Sequence, residues 1–219
     1  MKKQTLVIHP QDPTTDFLTA IYNGRGFTEL RTDFHPQKIK KLIEEHERII
    51  LLGHGFHHGL LNYYQTIIDE SYVSLLRDKE LVGIWCYAKS FFERHHLTGF
   101  YTDMFISEMP EALLMGVEAT EEEIEASNRA FAKAVRKNLF HSECFGRIFK
   151  EYQKINTPVG LYNQVRLSYR SRNGLIQGNE DKYLHQGNPT SIDVLSNWLA
   201  KNPEVIQSML SSDVFKKMQ

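Results

Sequence analysis

Short apolar runs separated by amphipathic stretches set the pattern of the first half of this chain. Gln4 to His9 is rich in β-formers and stops at Pro10, and Gly26 to Thr32 suits a second strand. Ile49-Ile50-Leu51-Leu52 is uninterrupted, as a strand covered on both faces of a parallel sheet requires. Leu81-Val82-Gly83-Ile84-Trp85 repeats that pattern, and Gly99 to Ser107 suits a fifth strand. Between these runs the apolar spacing turns helical. Asp12 to Tyr22 carries Phe17, Leu18, Ile21 and Tyr22, and Asn23-Gly24 closes it. His35 to His46 places Ile39, Leu42 and Ile43 on one face. Shorter helices are predicted near Tyr72 to Leu76 and over Ser90 to His96, with a loop before the first of them.

Strands alternating with helices of this length imply βαβ units. The expected fold is α/β: a mostly parallel sheet with helices on both faces, a three-layer sandwich of flavodoxin-like type. Residues 4–107 form its alternating core within one domain spanning 1–219. Residues 108–219 read as a helix-rich part packed on that core. Thr120-Glu121-Glu122-Glu123 is a capping box opening a long helix through Phe140. Ser142 to Lys154 and Val159 to Tyr169 are expected as helices, separated by Thr157-Pro158. Thr190 to Ala200 and Pro203 to Leu210 would close the chain, the latter capped by Asn202.

Composition narrows the function classes. With 219 residues, 41% hydrophobic and a formal charge of -1, the chain can bury a sizeable core. Its charge does not suit a surface built for phosphate backbones or acidic membranes, so neither nucleic acid nor membrane is expected as a partner. Lys38, Lys40 and Lys41, and Arg166, Arg170 and Arg172, are interleaved with other residues rather than massed. No run approaches the length of a membrane helix, and the apolar run after Lys2-Lys3 is too short for a secretory signal. Two cysteines make no disulfide framework, so a reducing cytoplasm is the expected location.

The candidate chemistry lies at two strand ends. Active sites of open parallel sheets sit beyond the carboxyl ends of the strands. There the sequence places His54, between Gly53 and Gly55, and Cys86. On neighbouring strands an imidazole can take the proton of a thiol or stabilise the thiolate, the effective nucleophile. Backbone N–H groups at such turns can stabilise an oxyanion.

An apolar strand ending in His-Gly, followed by an apolar strand ending in Cys, resembles the caspase-like fold of cysteine peptidases. Caspases, metacaspases, legumains, gingipains and separases share that fold. In them the His follows the third core strand and the Cys the fourth. The resemblance covers residues 4–107 and implies His54 as general acid/base and Cys86 as nucleophile. It also implies an oxyanion hole from the Gly55 and Cys86 N–H groups, with a peptide or protein as substrate and no cofactor. Asp103 and Glu108 could then form a specificity pocket for a basic residue. The plainer reading makes Asp103 a solvent-facing strand residue and Glu108 the cap of a helix beginning near Pro110.

Other chemistries fit less well. Cys144 sits in a helical pattern with Phe145 and Ile148 and reads as core. His57 and His58 read as loop residues near the cleft. His95 and His96, adjacent on a helix, point in different directions, and no metal site is expected. Ile84-Trp85-Cys86-Tyr87-Ala88 lacks the glycines of a nucleophile elbow, and Gly24-Arg25-Gly26 lacks the third glycine of a dinucleotide loop. The competing reading is a non-catalytic binding or signalling module of the same architecture, favoured by the bulky Trp85 and Tyr87 beside the thiol. The sequence leaves the oligomeric state open.

Overall fold

In the computed structural model the described residues are 4–63, 65–141, 144–174 and 176–178. Strand β1 (Thr5–Ile8) leads through a 3-10 helix (Pro13–Ile21) to β2 (Thr28–Leu30). Helix α1 (Pro36–Glu45) and strand β3 (Arg48–Leu52) follow. A small antiparallel sheet comes next, β4 (Gly55–Phe56), β5 (Gly59–Asn62) and β6 (Gln65–Ile68). Then come α2 (Val73–Leu76), β7 (Glu80–Ile84), α3 (Ala88–Arg94) and β8 (Gly99–Thr102). Helices α4 (Met109–Leu114), α5 (Glu121–Asn138), α6 (Cys144–Tyr152) and α7 (Pro158–Gln164) precede β9 (Leu167–Arg170) and β10 (Ile176–Gly178).

The main sheet has the order β10-β9-β8-β7-β3-β1-β2. Strands β2, β1, β3, β7 and β8 are mutually parallel; at one edge β9 runs antiparallel to β8, and β10 antiparallel to β9. Because strand side chains alternate, each central strand serves two cores. Leu6, Ile8, Ile49, Leu51 and Leu81 pack under α1, α2 and α3, against Ile39, Ile43, Leu76, Phe91 and Phe92. Val7, Ile50, Leu52, Val82 and Ile84 face the other way, against Leu18 and Ile21 of the 3-10 helix and Phe131, Val135 and Ile148 of α5 and α6. The three-layer α/β sandwich expected from the sequence is the observed fold.

Three expectations are corrected. The segment before Tyr72, read as a loop, forms the second sheet, because Leu60, Ile67 and Ile68 bury their side chains in the main core. The fifth strand ends at Thr102 rather than Ser107, so residues 103–108 form an irregular crossing. The helix expected to reach Tyr169 stops at Gln164, and β9 begins at Leu167. There Asn163 turns its side chain to Ile106, donating to its carbonyl and accepting from its N–H, each at 2.8 Å. Leu167 and Ser168 then register with Thr102 and Tyr101. A long-range ladder outweighs the local helical period. The helices expected over 190–200 and 203–210 lie outside the described residues.

The capping box is present as read. Thr120 Oγ1 accepts from Glu123 N at 3.2 Å, and Glu123 Oε2 accepts from Thr120 N at 3.0 Å. Thr120→Ala is therefore expected to lower unfolding stability by about 1 kcal/mol, measured by urea denaturation. An unchanged midpoint would show that α5 is held by packing alone.

Candidate functional site

The register of β3 and β7 builds the site. Leu52 pairs with Ile84 as the last rung of the ladder, and Gly53 N still donates to Ile84 O at 3.1 Å. His54 and Cys86 therefore leave their strands at equivalent positions, each two residues past that rung. Gly53 has φ +133°, a backbone that L side chains rarely adopt, and this turns the chain off the sheet. The His54 carbonyl then accepts from Leu61 N at 2.8 Å, fastening the turn to the small sheet.

Trp85 ties the two strand ends together. It is buried, and its Nε1–H donates to Phe56 O at 3.2 Å. Gly55 lies against its ring: a Cβ there would stand 2.1 Å from Trp85 Cδ1 and 2.6 Å from Gly59 O. After Cys86 the backbone reverses at Tyr87, φ +67°, to begin α3. His57 lies over this turn, its ring centroid 4.4 Å from that of Tyr87 and its Nδ1 2.9 Å from Ser90 Oγ.

The His54 ring is held by residues that sequence reasoning missed. Thr14 donates its hydroxyl hydrogen to Asp12 Oδ1 at 2.6 Å. A hydroxyl has a single hydrogen, so at its 2.7 Å contact with His54 it must accept from Nε2–H. The relay therefore fixes the Nε2–H tautomer and leaves Nδ1 as the basic nitrogen. Asp12 Oδ1 itself lies 3.9 Å from Nε2. Partial burial of Asp12 works to raise its carboxyl pKa. The Thr14 hydroxyl and amide, with His54 nearby, outweigh that and hold it below the usual carboxylate range. The signal in the sequence was Asp12 before Pro13, an N-cap ahead of a proline at the first helical position.

A second histidine lies behind this turn. His9 follows β1, fully buried, with Nδ1 2.9 Å from Tyr22 OH and Nε2 3.2 Å from Thr15 Oγ1. Thr15 donates its own hydroxyl hydrogen to Asp12 O at 3.3 Å, so His9 Nε2–H donates to Thr15 and Nδ1 accepts from Tyr22. Every polar atom of the neutral ring has a partner. Burial, with Arg31 nearby, pulls the His9 pKa down to about 4.

Cys86 faces different company. Its Sγ lies 3.6 Å from Glu111 Oε1 and 3.8 Å from Phe105 O, the first a carboxylate of α4. Glu111 Oε2 accepts from Ser107 N at 2.7 Å and from Ser107 Oγ at 3.0 Å. Burial pushes the thiol well above its ordinary pKa, and the Glu111 carboxylate adds to that. Two unit charges about 4 Å apart repel by about 4 kcal/mol at an effective dielectric near 20, which disfavours a thiolate here.

His54 and Cys86 line one small cavity with Thr15, Phe105, Ser107 and Glu111, of about 20 Å³ and so roomy enough for roughly one water. No hydrogen bond joins imidazole to sulfur among the described residues. Gly55 and Cys86 are brought to the same end of the sheet, Gly55 on β4 and Cys86 in the turn before α3. Asp103 is placed otherwise than the plainer reading expected, while Glu108 stands where that reading put it. Asp103 lies past the strand, half-buried, and its Oδ1 accepts from Met104 N at 2.9 Å. Glu108 occupies the N-cap position of α4 but makes no capping bond. Burial raises its carboxyl pKa, with Glu111 adding and His54 opposing. Among the described residues no group of three His, Cys, Asp or Glu side chains could hold a metal ion, and no helix is long and apolar enough to cross a membrane.

No family model matches the chain, and no curated protein matches it. Among solved structures, the Trp repressor binding protein of Bacillus subtilis is similar over 64% of this chain and 100% of that one, at 13% identity and a TM-score of 0.36. A likeness that low carries no argument, and the fold assignment rests on the sheet order and the two cores.

Proposed function

We propose that this chain is a cysteine peptidase of caspase-like type, with His54 and Cys86 as its dyad. The observation that carries the reading is the in-register pairing of β3 with β7, which sets an imidazole and a thiol at equivalent strand ends over one cavity. The oriented His54 ring supports it further. In the reaction, Nδ1 takes the thiol proton while Sγ bonds to the scissile carbonyl carbon. The tetrahedral intermediate collapses as the leaving amine takes the proton from His54, giving an acyl-enzyme. Water then attacks, its proton passing to His54 and on to Sγ as the C–S bond breaks and the acid departs. Amides at Gly55 and Cys86 would hold the developing oxyanion.

The half-buried, Glu111-bonded thiol favours the second reading, a non-catalytic module that keeps this sheet and uses its surface for recognition. The two separate in one experiment. The chain is incubated with a peptide library, and cleavage is compared between the native protein, Cys86→Ala and His54→Ala. Cleavage lost in both variants, with folding unchanged, supports the peptidase. Cleavage unaffected by Cys86→Ala, or none from the native protein, supports the module.

A further inference from the structure

The dyad reading leaves Glu111 without a task, although it is the side chain in polar contact with the sulfur. Its two oxygens have separate partners: Oε2 is held by the Ser107 N–H and hydroxyl, and Oε1 takes the thiol hydrogen. Ser107 is itself anchored, its carbonyl accepting from Asn128 Nδ2 at 2.8 Å on α5. Its neighbour Ile106 is clamped on both backbone groups by Asn163 of α7. The donating end of the contact is thus fixed to two helices of the body.

The helix that carries Glu111 is held far more lightly. Helix α4 has six residues, of which only Ala112 is buried, while Leu113 and Leu114 are 48% and 44% exposed. Ala112 packs into a small cluster with Ile106, Ile124 and Val159, separate from both large cores. Helices with so few buried contacts belong to the low-stability end of a fold. A second observation points the same way: the cavity shared by His54 and Cys86 holds about 20 Å³, far too little for a peptide group.

We infer that Glu111 is an acidic latch on Cys86: tied to Ser107, its carboxylate keeps the thiol protonated and the cavity shut, and Cys86 becomes reactive when α4 carries Glu111 away. This rests on the reading of Cys86 as nucleophile and adds its regulation. The carboxylate stabilises S–H by accepting its hydrogen and repels the thiolate that would replace it. Asp103 adds a weaker negative charge near the thiol, and His54 stands at the end of the neighbouring strand, so Glu111, in contact with the sulfur, is the charge whose departure changes the balance most. Removing the latch therefore raises nucleophilicity, the opposite of what loss of a supporting residue does.

The test is alkylation of the full chain by iodoacetamide at neutral pH, followed by mass spectrometry of both cysteine-bearing peptides. In that reaction the thiol proton leaves to His54 or water, sulfur bonds to the methylene carbon, and iodide departs. Glu111→Gln keeps the shape and the acceptor but removes the charge. It should speed modification of Cys86 by about tenfold or more, with Cys144, buried in the body, as the internal reference. An unchanged or slower rate at Cys86 overturns the latch. Equal acceleration at both cysteines would mean the variant unfolds, and Glu111→Asp, too short to reach the sulfur, then carries the test with the same selective rise expected. The outcome is distinct from that of the peptidase reading. Faster alkylation without peptide cleavage in Glu111→Gln upholds the latch and removes the peptidase. Cleavage with no response to Glu111→Gln removes the latch alone.

Discussion

Truncating Trp85 to alanine is expected to lower the unfolding free energy by about 4 kcal/mol. Trp85 is among the largest fully buried side chains, packed edge-on or tilted against Phe91 and Phe92 with ring centroids 5.9 Å away in each case. Its removal leaves a large void under α3, where surrounding side chains on a sheet cannot collapse freely. It also deletes the indole donor to Phe56 O and so frees β4, the strand directly after His54, from the end of β7. Trp85→Phe separates the two effects. It keeps most of the volume and loses the hydrogen bond, and should cost about 1–2 kcal/mol. Denaturant titration followed by circular dichroism measures both, avoiding a fluorescence signal that the substitutions themselves alter. A Trp85→Ala chain within about 1 kcal/mol of native stability, the cost of an average substitution, would contradict this packing.

Acidification is expected to remove about 3 kcal/mol of stability through His9. Unfolded, this histidine takes its proton near its ordinary value of 6.5; folded, it does so only at about 4. Between those values the unfolded chain binds the extra proton, so protons favour unfolding. The stability contributed by the neutral ring is whole above 6.5, declines as the pH falls, and is gone below 4. Physically, a second ring proton would sit on Nδ1, facing a Tyr22 hydroxyl that already donates to it, in a place water does not reach. His9→Gln removes the titration, so its stability should fall less steeply across this interval than that of the native chain, even though its absolute stability is lower. Parallel slopes for the two proteins would assign acid sensitivity to other groups. Because Thr15 and Thr14 belong to the same capped turn, protonation of His9 would also disturb the relay that holds His54.

The contrast between His54 and Cys86 bears on how such a site works. The imidazole is oriented by Asp12 and Thr14 with its basic nitrogen left over, an arrangement suited to proton transfer. The thiol is the reverse, half-buried and held by an acid. Perturbed groups at strand ends are candidates for function, and here the Cys86 thiol is raised first by burial and then by Glu111, which sits on a six-residue helix.

What the chain spelled out locally is the scaffold. Ile49 to Leu52 and Leu81 to Ile84 declared two doubly covered strands because a strand buried on both faces has no polar alternation to offer, and Thr120 with Glu123 declared a helix start by adjacent hydrogen bonding. His54 and Cys86 were legible for the same reason: each directly follows such a strand. Tertiary structure alone decided their company. Thr14, which holds His54, lies 40 residues upstream of it, and the partners of Cys86 lie 19 and 25 residues downstream. No period of two or of 3.6 encodes contacts at such distances. Likewise Leu167 to Arg170 carried a helical spacing and became a strand, since β8 offered an unpaired edge whose hydrogen bonds outweighed local preference. Which residues end a strand is written in neighbouring side chains; what a thiol meets there depends on the packing of elements that the chain reaches only later.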